Sequence, residues 1–453
     1  MTSTALPRTL PRAGVVDTVR VLGTVVLPTI ARGVIIRRPP VVGLLERADA
    51  DRRAVQLLQR LRRRYGSGPL RLRVPGRRMV VLLDHGDVRR VLAETPDPFT
   101  PATREKRAAL GHFQPHGVLI SQGEDREDRR RFNESVLDTP SPVHRSADGM
   151  VGGVRAEVDS LLGQVRRDGA LTWAPYSAMW DRMVRRVVLG EGALADSALS
   201  DELRTLRATA NWAFLHPRRR GVRASFLDRV EGHVRRADPG SLAGSVAAAP
   251  STERTDPVQQ VPQWLFAFDA AAWASFRALA LLHSHPEQLA RARAEIAGRD
   301  LDRPQDLPFL RATMLESLRL WPTTPAVLRE STERTVWEGG PMPEHTSILT
   351  YAPLFHRDDE HLAYAHTFDP EVWLDPARAA DWPLIPFSDG PAVCPGRNLV
   401  LHVSSSILAM LLDATELGLD QAERLEPLPG TLDPFTLRFP VAQRLPVTQR
   451  SEG

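Results

Sequence analysis

Ile385-Pro386-Phe387-Ser388-Asp389-Gly390-Pro391-Ala392-Val393-Cys394-Pro395-Gly396-Arg397 is the most informative run in this chain. It holds the sole cysteine among 453 residues, so no intrachain disulfide can form. Behind it, Asn398 to Leu412 carries Leu399, Val403, Ile407, Met410 and Leu411 at the spacing of a buried helix. Gly390-Pro391 turns the chain before the cysteine, and Pro395-Gly396 turns it after. A sulfur at a helix N-terminus meets the positive end of the dipole and unpaired amides, which favour thiolate over thiol. Small neighbours leave it one open face for a metal. A lone cysteine without such surroundings reads as a small buried hydrophobe.

In Phe387-x-x-Gly390-x-x-x-Cys394-x-Gly396 the run resembles the haem-ligand loop of the cytochrome P450 (haem-thiolate) family. The resemblance implies a mainly α fold with minor β, the cytochrome P450 fold, holding one haem b (iron protoporphyrin IX). It implies that Cys394 is the axial iron ligand, that Phe387 packs near the sulfur, and that Gly390 and Gly396 permit the tight loop. A thiolate ligand pushes electron density onto iron and favours O–O cleavage. One position departs from the pattern. The family's Arg or His two residues before the cysteine, set against a haem propionate, is Ala392 here.

Composition narrows the setting. The chain is 42% hydrophobic, enough for a large core, and its net charge of +4 implies no global attraction to nucleic acid. Lys106 is the sole lysine, an arginine bias that by association suggests a GC-rich bacterial genome. One cysteine is consistent with a reducing cytoplasm, and no secretory signal is evident. Val15 to Ile36 is apolar but contains Asp17, Arg20, Pro28 and Arg32. A spanning helix needs about 20 apolar residues, and each central charge costs roughly 2.5–3.5 kcal/mol. Arg32, Arg37 and Arg38 beside Val21 to Ile30 allow a peripheral membrane contact at most, and a plain docking segment is the preferred reading.

Residues 1–40 read as an irregular N-terminal extension and 41–453 as a single domain. Ala48 to Tyr65 predicts a helix, Leu70 to Val74 and Met79 to Leu83 a strand pair, and Asp87 a helix cap. Residues 95–118 are turn-rich, and in the family this region is a wall of the substrate pocket. The charged helix at Asp125 to Asn133 reads either as a solvated face with i,i+4 pairs or, by resemblance, as a propionate-binding helix. In the second reading Arg129 is the family arginine, and Asp125 stands where a ring is expected. Residues 150–235 predict successive helices, and Pro239 to Gln260 a linker.

Trp264 to Leu282 is apolar almost all round, the mark of a central helix. Asp269 within it needs a partner, since an unpaired buried charge is expensive. Pairing with a core arginine is the bland explanation. The resemblance aligns Phe266, Ala267, Phe268, Asp269 and Ala270 with the family's cluster over the iron. It implies that Asp269 is the proton-relay acid and that Phe266, Ala267 and Ala270 line the distal side. Ala270 replaces a threonine that helps deliver protons to dioxygen, and Phe266 puts a ring where a small residue is usual.

Glu316 and Arg319, three apart on the helix predicted at Pro308 to Trp321, resemble the family's Glu-x-x-Arg core motif. Its usual third member is replaced by Val372, and Arg329 matches a strand arginine that grips a propionate. Leu428 to Val441 looks like the last hairpin. The function implied is monooxygenation of a small organic substrate, secondary-metabolite-like or lipid-like, with O2. Electrons would come from a ferredoxin and ferredoxin reductase or a similar donor, because no flavin or iron–sulfur motif is visible. The alternatives are peroxide-driven or non-oxygenating chemistry (dehydration, coupling, rearrangement), motivated by the missing threonine, and a haem-binding domain that recruits or senses without turnover.

Overall fold

Two hydrophobic cores arise from two periodicities in the chain. The computed structural model describes residues 9–66, 68–379 and 382–442. The larger core is helical and forms around the 24-residue helix Val261–Ser284. Because that helix is apolar on nearly every face, it can be covered on all sides. Helices Trp173–Leu189, Pro308–Leu320 and Arg397–Ala414 pack on it, and Ala147–Asp168 packs on the first and last of these. By length and composition this central helix is long and apolar enough to cross a membrane, but it is mostly buried in protein.

The smaller core packs helices Ala50–Tyr65 and His85–Ala93 on a five-stranded sheet. Strands β1 (Leu70–Arg71), β2 (Met79–Val81), β3 (Phe99–Thr100), β4 (Ala170–Thr172), β5 (Ala326–Ser331), β6 (Thr335–Trp337), β7 (Gly340–Met342), β8 (Ser347–Tyr351) and β9 (Arg438–Pro440) follow in chain order. The sheet runs β1-β2-β8-β5-β3, with β2 and β8 parallel and Met79 opposite Ser347. Pro75-Gly76 makes the expected turn between β1 and β2, and Gly76 takes a positive φ of 68° that suits glycine. The cysteine loop bridges the cores: Ile385 belongs to the smaller one and Leu399 to the larger.

Several expectations are corrected. The N-terminal stretch is not irregular: Val15–Val21, a π-helical turn Leu22–Val26 and Leu27–Ala31 form a continuous helical rod. Asp17, one of the charges that argued against a span, is buried and accepts from Tyr65 Oη at 2.8 Å and Arg64 Nη1 at 3.0 Å. The charge docks the rod, while Leu10, Ala13, Val21 and Val25 enter the smaller core. Asn211, just after helix Ser197–Ala210, reaches this N-terminal region. Its Oδ1 accepts from Ile35 N and Ile36 N at 2.8 and 3.3 Å, and its Nδ2 donates to Ile36 O at 2.9 Å.

Asp84, not Asp87, caps helix His85–Ala93, accepting from Gly86 N at 2.7 Å. Helix Arg104–Leu110 interrupts the turn-rich segment, and helix Leu242–Val246 the expected linker. The C-terminal hairpin does not form within 428–441: β9 lies antiparallel to β4, with Thr172 opposite Arg438, and also bonds to residues 416–420 through an antiparallel Leu417/Val441 bridge. Pro429 and Pro434 deprive residues 428–437 of two amide donors that a local hairpin would use.

Candidate functional site

The cysteine loop is held by its own backbone. Asp389 accepts from Gly390 N at 2.8 Å, Val393 N donates to Gly390 O at 2.9 Å, and Cys394 N donates to Phe387 O at 2.9 Å. Gly390 has φ of 63°, and a Cβ there would meet Leu92 O at 2.3 Å, so the loop sits directly on helix His85–Ala93. Cys394 is half-buried, just ahead of helix Arg397–Ala414, with Gly396 at the cap. Burial pushes its thiol pKa up. The Gly396 amide and the Arg130 and Arg397 charges oppose that rise without overcoming it. The expected thiolate preference at a helix start is thus outweighed by desolvation, and a bound metal cation would be needed to favour the thiolate.

Along the central helix, Gln263, Phe266, Ala267, Asp269, Ala270, Trp273 and Arg277 are only partly buried, while the residues between them are covered. Their spacing of about three to four traces a stripe on one side of the helix, so open space runs beside it. Strand residues Ala326, Val327 and Leu328 are also half-open. Phe266 meets Phe113 edge-on with ring centres 5.5 Å apart, and the Arg207 guanidinium lies 5.1 Å over its ring. Asp269 forms an ion pair with Arg207 of helix Ser197–Ala210. The pairing expected on general grounds is therefore present, and it holds the candidate relay acid. Nearby Asp181 has its pKa raised by burial and by the Asp269 charge.

A cluster of cations flanks the cysteine loop. Arg329 on β5 is 3% exposed and donates to Thr95 Oγ1 at 3.1 Å, Ser388 Oγ at 3.1 Å and Leu328 O at 3.0 Å, all neutral acceptors. Burial, with the Arg126 charge, lowers its pKa to about 10. Lys106 Nζ lies 3.4 Å from the same Leu328 carbonyl, and burial followed by the Arg329 charge pushes its pKa down to about 7. From helix Gly123–Val136, Arg126 Nη2 reaches Pro391 O at 3.4 Å and Arg130 Nη1 reaches Val393 O at 2.6 Å.

Arg129 does not join this cluster. It donates to Arg254 O at 3.0 Å and Ser121 Oγ at 2.7 Å. Residues 126 and 130 are one helical turn apart and share a face, whereas residue 129 is rotated about 100° from 130. Asp125 is the nearest acid to Arg129, at 3.8 Å, and Ala392 brings no polar group to the loop. The helix resemblance aligned the wrong face. The local signal that could have found the right one is the i,i+4 pair Arg126/Arg130.

Beneath the loop, Glu316 and Arg319 are both fully buried and paired at 2.6 Å. The place left by Val372 is taken by its neighbour: Trp373 Nε1 donates to Glu316 Oε2 at 2.8 Å, and Asp369 N to Oε1 at 2.9 Å. His356 passes its backbone carbonyl to Arg319 and accepts from Ile385 N on Nε2 at 2.9 Å, tying the motif to the start of the cysteine loop.

Comparison with known proteins agrees with this architecture. The cytochrome P450 family model matches residues 253–438. The chain is 30% identical over 175 residues to ferruginol synthase of Salvia pomifera, covering 36% of this chain and 39% of that protein. It is 32% identical over 324 residues to the cytochrome P450 monooxygenase milC of Cordyceps militaris, covering 66% and 53%. The chain thus spans well under two thirds of these curated relatives. Among solved structures, the cytochrome P450DA haem domain superposes with TM-score 0.68 at 18% identity, over 88% of this chain and 92% of that one. A cytochrome P450 (CYP102L1) gives 0.67 at 19%, over 86% and 98%.

The fold is the cytochrome P450 fold, mainly α with minor β. The cytochrome P450 family model and these relatives each match part of the chain. That family and fold bind haem b, and the residues here fit it. A half-buried cysteine on a pinned loop offers a soft ligand, and Arg329, Arg126 and Lys106 offer positive charge to which no carboxylate among the described residues is hydrogen-bonded. The two propionates of a bound haem would supply the anion such a cluster lacks.

Proposed function

We propose that the chain is a haem-thiolate oxidoreductase, a monooxygenase acting on a small organic substrate of secondary-metabolite or lipid-like character. The observation that carries this reading is the juxtaposition of Cys394 with Arg329, Arg126 and Lys106, to which no carboxylate among the described residues is hydrogen-bonded. When bound, a thiolate-ligated haem supplies oxygen activation driven by electrons from outside the chain. Cys394 would hold the iron, and Arg329, Arg126 and Lys106 the propionates. Phe266, Ala267 and Ala270 narrow the open stripe and exclude water from it. A chain with one cysteine cannot ligate a four-cysteine iron–sulfur cluster, so a ferredoxin with its reductase, or a similar donor, is the electron source we assign.

Proton supply is where this chain departs from its family. Ala270 has no hydroxyl, and Asp269 is held by Arg207. A proton reaches the stripe from Asp269 only when that pair opens, or else through a hydroxyl carried by the substrate. The same departure favours a second reading, peroxide-driven or non-oxygenating turnover. We place the protein in a bacterial cytoplasm on its arginine bias and single cysteine, although the relatives named above are plant and fungal. Val15, Val16, Val19, Leu27 and Ile30 are more than half exposed on the N-terminal rod, which supports peripheral contact with a membrane rather than a span.

Two experiments test this. The ferrous carbonyl spectrum of the haem-loaded protein is expected to show the thiolate-type Soret band, and Cys394→Ala to abolish it. An unchanged spectrum in the variant refutes the assignment. Product formation with reduced ferredoxin and O2, compared with peroxide alone, then separates the two chemistries.

A further inference from the structure

A cavity of about 30 Å³ lies at the far end of the open stripe, lined by Arg32, Arg37, Trp273, Arg277, Thr323 and Leu432 among others. That is room for about two waters, or for the two oxygens of one carboxylate. Three guanidinium groups meet there, and the one carboxylate in its wall, Asp51, is already saturated. Arg32 grips it with bonds of 2.6 and 3.1 Å, Tyr351 Oη donates at 2.7 Å, and Thr431 Oγ1 at 3.0 Å.

Arg37 and Arg277 are left with backbone carbonyls. Arg37 donates to Gly33 O and Thr323 O and lies 5.0 Å over the Trp273 ring. Arg277 donates to Trp321 O at 3.3 Å and Leu432 O at 2.6 Å, and its Nε is buried without a partner. Burial and mutual repulsion, chiefly from Arg32, lower their pKa values to about 9 and about 10. Both side chains are half-buried, and a half-buried cation held only by carbonyls gains when an anion arrives.

We propose that Arg37 and Arg277 form the anchor for a carboxylate at one end of an otherwise apolar substrate. Arg277, Trp273 and Ala270 lie on the same open stripe. Seven residues of helix separate Arg277 from Ala270, about 10 Å. A medium-length alkyl chain spans that distance, so an anchored carboxylate lays its apolar body along Trp273 toward Ala270. This rests on reading the stripe as the substrate space of the proposed oxidoreductase.

The test is calorimetric titration of the haem-loaded full chain with decanoate, decanol and acetate. Decanoate is expected to bind about tenfold or more tighter than decanol, the loss expected when a charge-assisted bond is removed. Acetate is expected to bind far more weakly than decanoate. Arg37→Gln and Arg277→Gln should each erase the decanoate preference while leaving decanol affinity unchanged, and Arg277→Lys should keep much of it. A merely structural role would lower both affinities together. Equal binding of decanoate and decanol, acetate binding as tightly as decanoate, or a preference unaltered in both glutamine variants overturns the proposal. If the carbonyl band of Cys394 is absent while the preference holds, the haem reading falls and the anion anchor stands. The reverse pattern removes the anchor alone.

Discussion

Arg319 and Arg329 are both buried guanidinium groups near the cysteine loop, and the fold treats them oppositely. Arg319 is fully enclosed, bonds Glu316 twice at 2.6 and 2.8 Å, and also donates to the carbonyls of His356, Tyr364, Ala365 and Thr367. Arg329 meets only hydroxyls and one carbonyl, and its pKa falls to about 10. The first charge is balanced within the protein; the second has no hydrogen-bonded carboxylate among the described residues, which is what the proposed propionate grip calls for. Scaffold and ligand site can therefore be told apart by charge balance, even where burial is the same.

The contrast is broken most directly at Glu316. Glu316→Ala leaves Arg319 buried and uncompensated and should cost about 3–5 kcal/mol of stability, measured by urea unfolding without haem. A cost below about 1 kcal/mol would show that the pair is not the scaffold element described here.

Acid should act on the same side. Burial, with the Arg319 charge, pushes the His356 pKa to about 3, and its Nε2 accepts the Ile385 amide, so the native ring is neutral. Between its unfolded value near 6.5 and about 3, the unfolded chain binds more protons than the folded one. Stability from this group is full above about pH 6.5 and declines as pH falls through that window, by up to a few kcal/mol. His356→Gln, which can still accept from Ile385 but does not titrate, should flatten unfolding midpoints between pH 6 and 4. An unchanged slope would remove His356 from the account.

On the ligand side, Arg329→Ala should leave the stability of the haem-free protein nearly unaltered yet speed haem loss about tenfold or more. Arg129→Ala, whose side chain turns away from the loop, should leave haem loss unchanged. Equal effects of the two would place both arginines in one class. The smallest expected effect is at Trp373. Removing its indole donor with Phe should cost about 1 kcal/mol, because Glu316 keeps its other donors.

What was legible in the sequence was whatever lies close along the chain. The cysteine loop, the Glu316/Arg319 spacing and the apolar central helix are local patterns, and each corresponds to an observed element. Relations across the chain were not legible. Nothing near Arg438 signals that it pairs with Thr172, and nothing along the chain shows that the Trp373 indole N–H comes within reach of Glu316, 57 residues away. Arg129 went astray because three arginines in a row fit several helical phases, and only the packed helix selects one. The N-terminal rod was missed because the charges counted against it find partners more than 15 residues away, Asp17 with Arg64 and Arg32 with Asp51.

The Asn211 clasp has a consequence for anyone who would transplant this pocket. Its side-chain amide stitches residues 35 and 36 to the turn that follows helix Ser197–Ala210, and Arg38 stacks 4.6 Å over the neighbouring Trp212. The fastening is therefore made from pieces of chain 175 residues apart. A graft of the 211–218 segment into a related scaffold carries half of a fastening. Trimming the chain at residue 40 undoes the other half and takes with it Arg32 and Arg37, two of the three guanidinium groups that line the small cavity beside Trp273.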